Sequence, residues 1–202
     1  MSLAQRKPMT VAEFLDWAER QDRKWEFDGV GPVPWGGQAQ AMGGGTNAHL
    51  TIGRNVVGEL FVRLRGRPCQ PYGSDAGVET GVGTLRYPDA VVSCVPQDRR
   101  GRAVREPVVV FEVLSPSSAR TDRSTKLAEY GATPSVRRYV LLEQDEVMAT
   151  VFARDEAGEW VGRVLRPGAT LALPECGVAV PLDALYEGLN FSDDPEADAA
   201  AG

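Results

Sequence analysis

Apolar residues along the chain alternate between helical and strand-like spacing, and the changes of period divide it into elements. From Thr10, with Glu13 three residues later as a capping box, Val11, Phe14, Leu15 and Ala18 predict a short N-terminal helix. Between residues 25 and 42 the apolar positions are broken by Asp28-Gly29, two prolines and Gly36-Gly37, the pattern of a hairpin with an irregular return strand. A glycine triplet at 43–45 then leads into Thr46, a good N-cap. Leu50, Val57, Leu60, Phe61 and Leu64 predict one apolar face on the longest helix, which stops at Arg65-Gly66. Strand-like segments follow at 69–72, 77–80, 86–93 and 107–114, the last being the most β-prone stretch of the chain. A second helix is predicted from Thr121 through Lys126, Leu127 and Tyr130 to about Gly131. Strands at 137–142 and 147–153, then 160–165 and 169–173, are expected to finish the sheet before a short helix near 182–186.

This order of elements predicts an α/β chain with one domain over residues 8–189 and an acidic, disordered tail at 190–202 carrying Asp193, Asp194, Glu196 and Asp198. The longest apolar run, Val108 to Phe111 with Val113 and Leu114, is far below membrane-spanning length, and residues 1–8 carry no apolar signal stretch, so a cytoplasmic protein is expected. Cys69, Cys94 and Cys176 have no CxxC spacing, which argues against a disulfide framework and a zinc site and predicts reduced core thiols. A net charge of −6 counts against a constitutive nucleic-acid binder, although Arg63, Arg65 and Arg67, and Arg99, Arg100, Arg102 and Arg105, form local basic segments.

Chemistry enters where a residue breaks its pattern. Glu112 interrupts Val-Val-Val-Phe-Glu-Val-Leu, which otherwise reads as a strand buried on both faces; a carboxylate there needs an arginine partner, an open strand end or a function. Asp89 follows Pro88 at the start of another apolar strand, where the missing N–H suits an edge or bulge; a plain Pro-Asp turn has the same pattern. Two acids on neighbouring strands make a hard-cation site suited to Mg²⁺ or Mn²⁺. Lys126 and Tyr130 share a helix face four residues apart and can point toward Glu112, although solvated helix lysines are common. Glu26, in Lys-Trp-Glu-Phe-Asp-Gly, is a fourth candidate or an ordinary polar strand position. His49 is the sole histidine, which excludes a two-histidine zinc site; with no GxSxG elbow present, capping or packing is its expected role. The glycine triplet lacks the Gly-Lys-Ser/Thr ending of a P-loop and reads as a loop.

The ordered set Met-Thr-Val-Ala-Glu-Phe-Leu, Trp-Glu-Phe-Asp-Gly, Gly-Gly-Thr-Asn-Ala-His, Arg-Tyr-Pro-Asp-Ala-Val-Val, Val-Phe-Glu-Val-Leu-Ser-Pro-Ser-Ser, Asp-Arg-Ser-Thr-Lys-Leu-Ala-Glu-Tyr and Arg-Tyr-Val-Leu-Leu, spanning residues 9–188, resembles the Uma family of proposed restriction endonucleases, a bacterial branch of the PD-(D/E)XK nuclease superfamily. The resemblance implies a restriction-endonuclease-like fold, a central mixed sheet flanked by helices. It makes Asp89 the acid of the Pro-Asp element and Glu112 the second acid. Position 114 is Leu where the Glu-x-Lys element has its lysine, so Lys126 from the next helix takes that place. Glu26 matches the upstream acid, although the residues after it depart from the usual Tyr-Glu-Leu-x-Asp-Gly-Glu. Asp89, Glu112 and the Val113 carbonyl are then expected to hold Mg²⁺ or Mn²⁺ for hydrolysis of DNA. The competing expectation is a catalytically silent fold acting as a homodimeric binding or regulatory module, favoured by the low pI of about 5.0.

Overall fold

A computed structural model of the chain describes residues 9–35, 45–115 and 119–191. The predicted hairpin return beyond residue 35, Gly43 and Gly44, and the acidic tail from residue 192 lie outside these residues. Helix α1 (Val11–Ala18) starts as its capping box requires: the Thr10 hydroxyl accepts from the Glu13 amide, and the Glu13 carboxylate accepts from the Thr10 amide at 2.8 Å. It buries Phe14 against Phe27 and Leu85. Strands β1 (Trp25–Phe27) and β2 (Pro32–Pro34) form the predicted hairpin, closed by Asp28 Oδ1 accepting from the Val30 and Gly31 amides.

Helix α2 (Asn47–Leu64) buries Ile52, Val56, Leu60 and Leu64, a stripe at four-residue spacing. Of the predicted face, Leu60 and Leu64 are buried and Val57 packs against the core, whereas Leu50 and Phe61 are exposed, with the Arg65 guanidinium lying over the Phe61 ring. Two apolar faces compete on this helix, and the sheet selects the one headed by β-branched Ile52 and Val56. Strand β3 (Gln70–Gly73) follows, then β4 (Val78–Glu79), β5 (Leu85–Arg86) and β6 (Ala90–Ser93). The predicted strand at 86–93 is thus two strands parted by Tyr87, Pro88 and Asp89. β5 completes a small sheet of order β2-β1-β5-β4, whereas β6 enters the main sheet.

The main sheet has the order β10-β9-β8-β7-β6-β3, with β7 (Pro107–Val113), β8 (Arg138–Leu142), β9 (Ala149–Arg154) and β10 (Trp160–Leu165). β7 and β8 run parallel; the other neighbours in this sheet are antiparallel. A parallel pair needs a crossover, supplied by α3 at 119–131, which comprises Ala119–Thr121, a π-helical stretch Asp122–Lys126 and Leu127–Gly131. β7 is buried on both faces as its sequence predicts. Val109, Phe111 and Val113 pack toward α2, while Val110 and Leu114 join Tyr130, Tyr139 and Leu141 on the α3 side.

Two further expectations are corrected. β11 (Thr170–Leu173) does not join the main sheet but pairs with β12 (Val178–Pro181), around a 3-10 turn at Pro174–Cys176. This hairpin and the 3-10 turn Leu182–Tyr186 cover α2, where Asn55 Nδ2 donates to the Leu185 and Glu187 carbonyls. The second correction concerns the cysteines, since Cys69 and Cys94 are disulfide-bonded, leaving Cys176 as a buried free thiol. The antiparallel β3–β6 register pairs Gln70 with Ser93, so the next residues outward face one another, a proximity that linear spacing does not reveal. No helix among the described residues is long and apolar enough to cross a membrane.

Candidate active site

Strand alternation puts Glu112 on the α3 side of β7, where it is 4% exposed. Lys126 Nζ donates to Glu112 Oε1 at 2.8 Å, and Tyr130 Oη donates to the same oxygen at 3.3 Å. Lys126 also lies 2.9 Å from Asp122 Oδ1. Asp122 is fully buried, and among the described residues neither of its carboxylate oxygens accepts a hydrogen bond. Its contact with Lys126 is therefore charge attraction at close range without a well-directed N–H. The π-helical stretch carries both residues, and Tyr139 Oη fixes its start by donating to the Asp122 carbonyl at 3.1 Å. Local widening of this kind recurs where a helix must aim side chains at a site.

Asp89 sits where the chain passes from the small sheet to the main one. Its Oδ2 accepts from the Val113 amide at 2.7 Å, and its Oδ1 lies 2.8 Å from His49 Nε2. His49 is in the first turn of α2, where its amide is capped by the Thr46 hydroxyl at 3.1 Å, and that hydroxyl in turn donates to Gln144 at 2.7 Å. A Cβ at Gly45 would come within 3.2 Å of the imidazole, so glycine there leaves the ring its place. His49 Nδ1 is buried without a partner. The expected capping or packing role for His49 is replaced by a direct contact with the acid of the Pro-Asp element. A cleft of about 230 Å³ opens on this pair, lined also by Trp35, Arg54 and Ser74. A larger cleft of about 340 Å³, beside Arg138, Arg154 and Arg163, contains none of the predicted residues, so chemistry rather than size selects the smaller one.

Glu26 is placed behind Lys126 and is committed elsewhere. Its Oε2 accepts from Arg86 Nη1 at 3.1 Å and its Oε1 from the Tyr87 amide at 3.2 Å. Arg86 also makes a two-pronged contact with Glu129 at 2.7 and 2.6 Å. Burial raises Glu112 well above the carboxylate range; Lys126 opposes this, while Asp122 and Asp89 add to it. Burial alone would lower Lys126, but Glu112, Glu26 and Asp122 together hold it above the ordinary lysine value, so it stays charged. Burial would likewise lower His49, and the Asp89 hydrogen bond and charge outweigh it.

The donors Asp89, Glu112 and Asp122 offer only oxygens, the ligand class of a hard divalent cation. Two carboxylates, Glu112 and Asp122, face Lys126, and Asp122 has no hydrogen-bond donor among the described residues. Among the described residues these acids are not gathered at ligand spacing: Lys126 contacts both Glu112 and Asp122, and His49 covers Asp89. The Val113 amide donates to Asp89.

Residues 11–182 match the family described as "Uma2: Putative restriction endonuclease". The chain belongs to the Uma2 family. Its relatives include two uncharacterised Synechocystis proteins. One is 32% identical over 186 residues, covering 91% of this chain and 94% of the relative; the other is 28% identical over 148 residues, covering 71% and 80%. The crystal structure described as that of "a putative nuclease belonging to DUF820" from Anabaena variabilis matches with a TM-score of 0.68 at 17% identity, over 89% of this chain and 98% of that one. The Uma2 chain therefore has the α/β restriction-endonuclease-like fold that its motifs imply.

Asp122 was not among the predicted Uma2 site residues, although its i,i+4 spacing from Lys126 is a readable signal. Arg86 and Glu129 also went unread, since their pairing needs β5 to lie against α3. The basic segment at 63–67 sits at the far end of α2 from His49, roughly 25 Å away by helix rise. Arg63 contacts Glu59 and the Ala179 carbonyl there, and Arg67 the Gly177 carbonyl.

Proposed function

We propose that this Uma2 protein is a Mg²⁺- or Mn²⁺-dependent endonuclease that hydrolyses phosphodiester bonds in DNA. The observation that carries the reading is the buried Glu112–Lys126 pair at 2.8 Å, at the end of β7 where the Val113 amide orients Asp89. A structural ion pair does not need a second acid, Asp89, held at the same strand end by the Val113 amide and lining a cleft. Asp89 and Glu112 would hold the cation, with Asp122 supplying further negative charge. When bound it would acidify a water and offset charge building on the phosphate.

The chain's own residues divide the remaining work. Lys126 stays protonated and presents N–H groups to a phosphate oxygen or to the attacking water. Tyr130, held protonated by its burial, steadies Glu112 by donating to it. Glu26 keeps Arg86 in place and adds to the field that keeps Lys126 charged. Arg54 and the N-terminus of α2, at the cleft, favour an anionic backbone. The protein is read as cytoplasmic and homodimeric.

Calorimetry with Mg²⁺ or Mn²⁺ and a plasmid-nicking assay, on wild type and on Asp89→Ala, Glu112→Ala and Lys126→Ala, test the proposal. Metal binding is expected to disappear in both carboxylate variants and nicking in all three. One observation favours the silent homodimeric module: both Asp89 oxygens already have protein partners. A wild-type protein that neither binds metal nor nicks, yet sediments as a dimer, selects that reading.

A further inference from the structure

The three cysteines meet at the end of the main sheet away from Asp89. Cys69 precedes β3, Cys94 follows β6, and Cys176 ends the 3-10 turn between β11 and β12. Their sulfur atoms all lie within 4.8 Å of one another, and no other described cluster of histidine, cysteine or acidic side chains reaches that spacing. Two of the sulfurs share a bond and the third is a free thiol. Rigid elements fix all three. β3 and β6 are paired in register, and Arg67, two residues before Cys69, donates to the carbonyl of Gly177, next to Cys176. Gly177 itself has φ 66°, a conformation that favours glycine and turns the chain directly behind Cys176.

We propose that, when the Cys69–Cys94 bond is reduced, Cys69, Cys94 and Cys176 form a three-thiolate site for a thiophilic d¹⁰ cation, Zn²⁺ or Cu⁺. Metal–sulfur bonds of about 2.3 Å put the sulfurs of such a site roughly 4 Å apart. The present cluster spans up to 4.8 Å with one pair bonded, so opening that bond and small side-chain rotations suffice. Among the described residues no carboxylate or imidazole joins the cluster, and a purely soft donor set selects against Mg²⁺ and Mn²⁺. The site is therefore chemically distinct from the acidic one. Cys69 and Cys176 are buried, while Cys94 is half-buried and supplies the way in.

The chemistry balances with a dithiol as reductant. The S–S bond takes two electrons and two protons from the dithiol, which leaves as its own cyclic disulfide, and the cation then displaces the thiol protons to solvent. Exchange with the free thiol is the less suitable use of this cluster. Burial, with the neighbouring Glu175 charge, pushes Cys176 up to about 11, so it is not a ready nucleophile until a cation takes the place of its proton. Disulfide and metal are alternative occupants of one place: the disulfide joins the ends of β3 and β6, and the metal would join both to the β11–β12 hairpin through Cys176.

The test uses the full chain prepared under excess dithiol and then freed of it without air, with thiols counted by alkylation. Co²⁺, standing in for Zn²⁺, is added alone and thiolate-to-metal charge-transfer absorption is recorded; Cu⁺ is added in a parallel arm against a competing chelator. The expected result is one equivalent bound in the reduced wild type with all three thiols protected, and none in the oxidised protein. The absorption should vanish in Cys176→Ala, and in Cys94→Ser at the half-buried position should the first variant fail to fold. Competition between the two arms decides which cation is preferred. Absence of charge transfer in the reduced protein, its survival in Cys176→Ala, or a count of one thiol under excess dithiol overturns the proposal.

Discussion

His49 and Asp122 are the two residues at which the site is most open to test. His49 is held above its ordinary value of 6.5 by Asp89. A raised folded value contributes stability that is fully present below the unfolded value and is lost as pH rises through the folded one. The stability gap between wild type and His49→Gln is thus expected to be widest below about pH 6.5 and to narrow above it, as urea midpoints across pH will read. A gap that widens with pH would show that the Asp89 contact does not set the behaviour of His49. Asp122 has a different signature, because it is fully buried with no hydrogen bond to its carboxylate among the described residues. Asp122→Asn should leave stability unchanged or higher and lower nicking at least about tenfold, a loss in the range of one electrostatic contact at a reacting centre. Asp89 and Glu112 stood out as candidates because each breaks a local pattern, a proline before an acid and an acid in an apolar strand, whereas Lys126 was singled out by its helix face and by the family resemblance. His49 and Asp122 break no pattern. Their place depends on α2 docking its first turn over the junction of the sheets and on a π-helical turn in α3.

At the scale of elements, β5 and β6 decide the geometry. Pro88 ends one strand and releases the chain into the other sheet, leaving Asp89 beside the end of β7. Behind it, Arg86 binds Glu26 and Glu129 and so ties β1, β5 and α3 together. Arg86→Met would leave two buried carboxylates unpaired, and a loss of about 3–5 kcal/mol is expected from denaturant unfolding. A change under about 1 kcal/mol would mean that these acids reach solvent or another donor. Helix starts and strands were readable from caps and period, as at Thr10, Thr46 and 107–114. The buried face of α2 was not, because Leu50 and Phe61 compete with Ile52 and Val56 and only the sheet arbitrates. Likewise the β11–β12 pairing is a choice of partner, which the period of one strand does not encode.

For the molecule as a whole, a net charge of −6 sits poorly with DNA binding, and the proposed cation would offset part of it at Asp89 and Glu112. The proposed nicking activity is accordingly expected to depend on the metal. Stability carries a second global dependence, because the Cys69–Cys94 bond closes a loop with a sequence separation of 25. Reducing it without added metal should cost about 3 kcal/mol, read as a lower urea midpoint, and an unchanged midpoint would mean that β3 is held without it. The most direct test of the central claim is nicking of supercoiled plasmid by wild type and Glu112→Gln, with Mg²⁺ or Mn²⁺ and with excess chelator. Nicking by wild type in metal alone, abolished by chelator and by the substitution, is the predicted result. Nicking that persists in chelator or in Glu112→Gln, or a folded wild type inert with both metals, would contradict it.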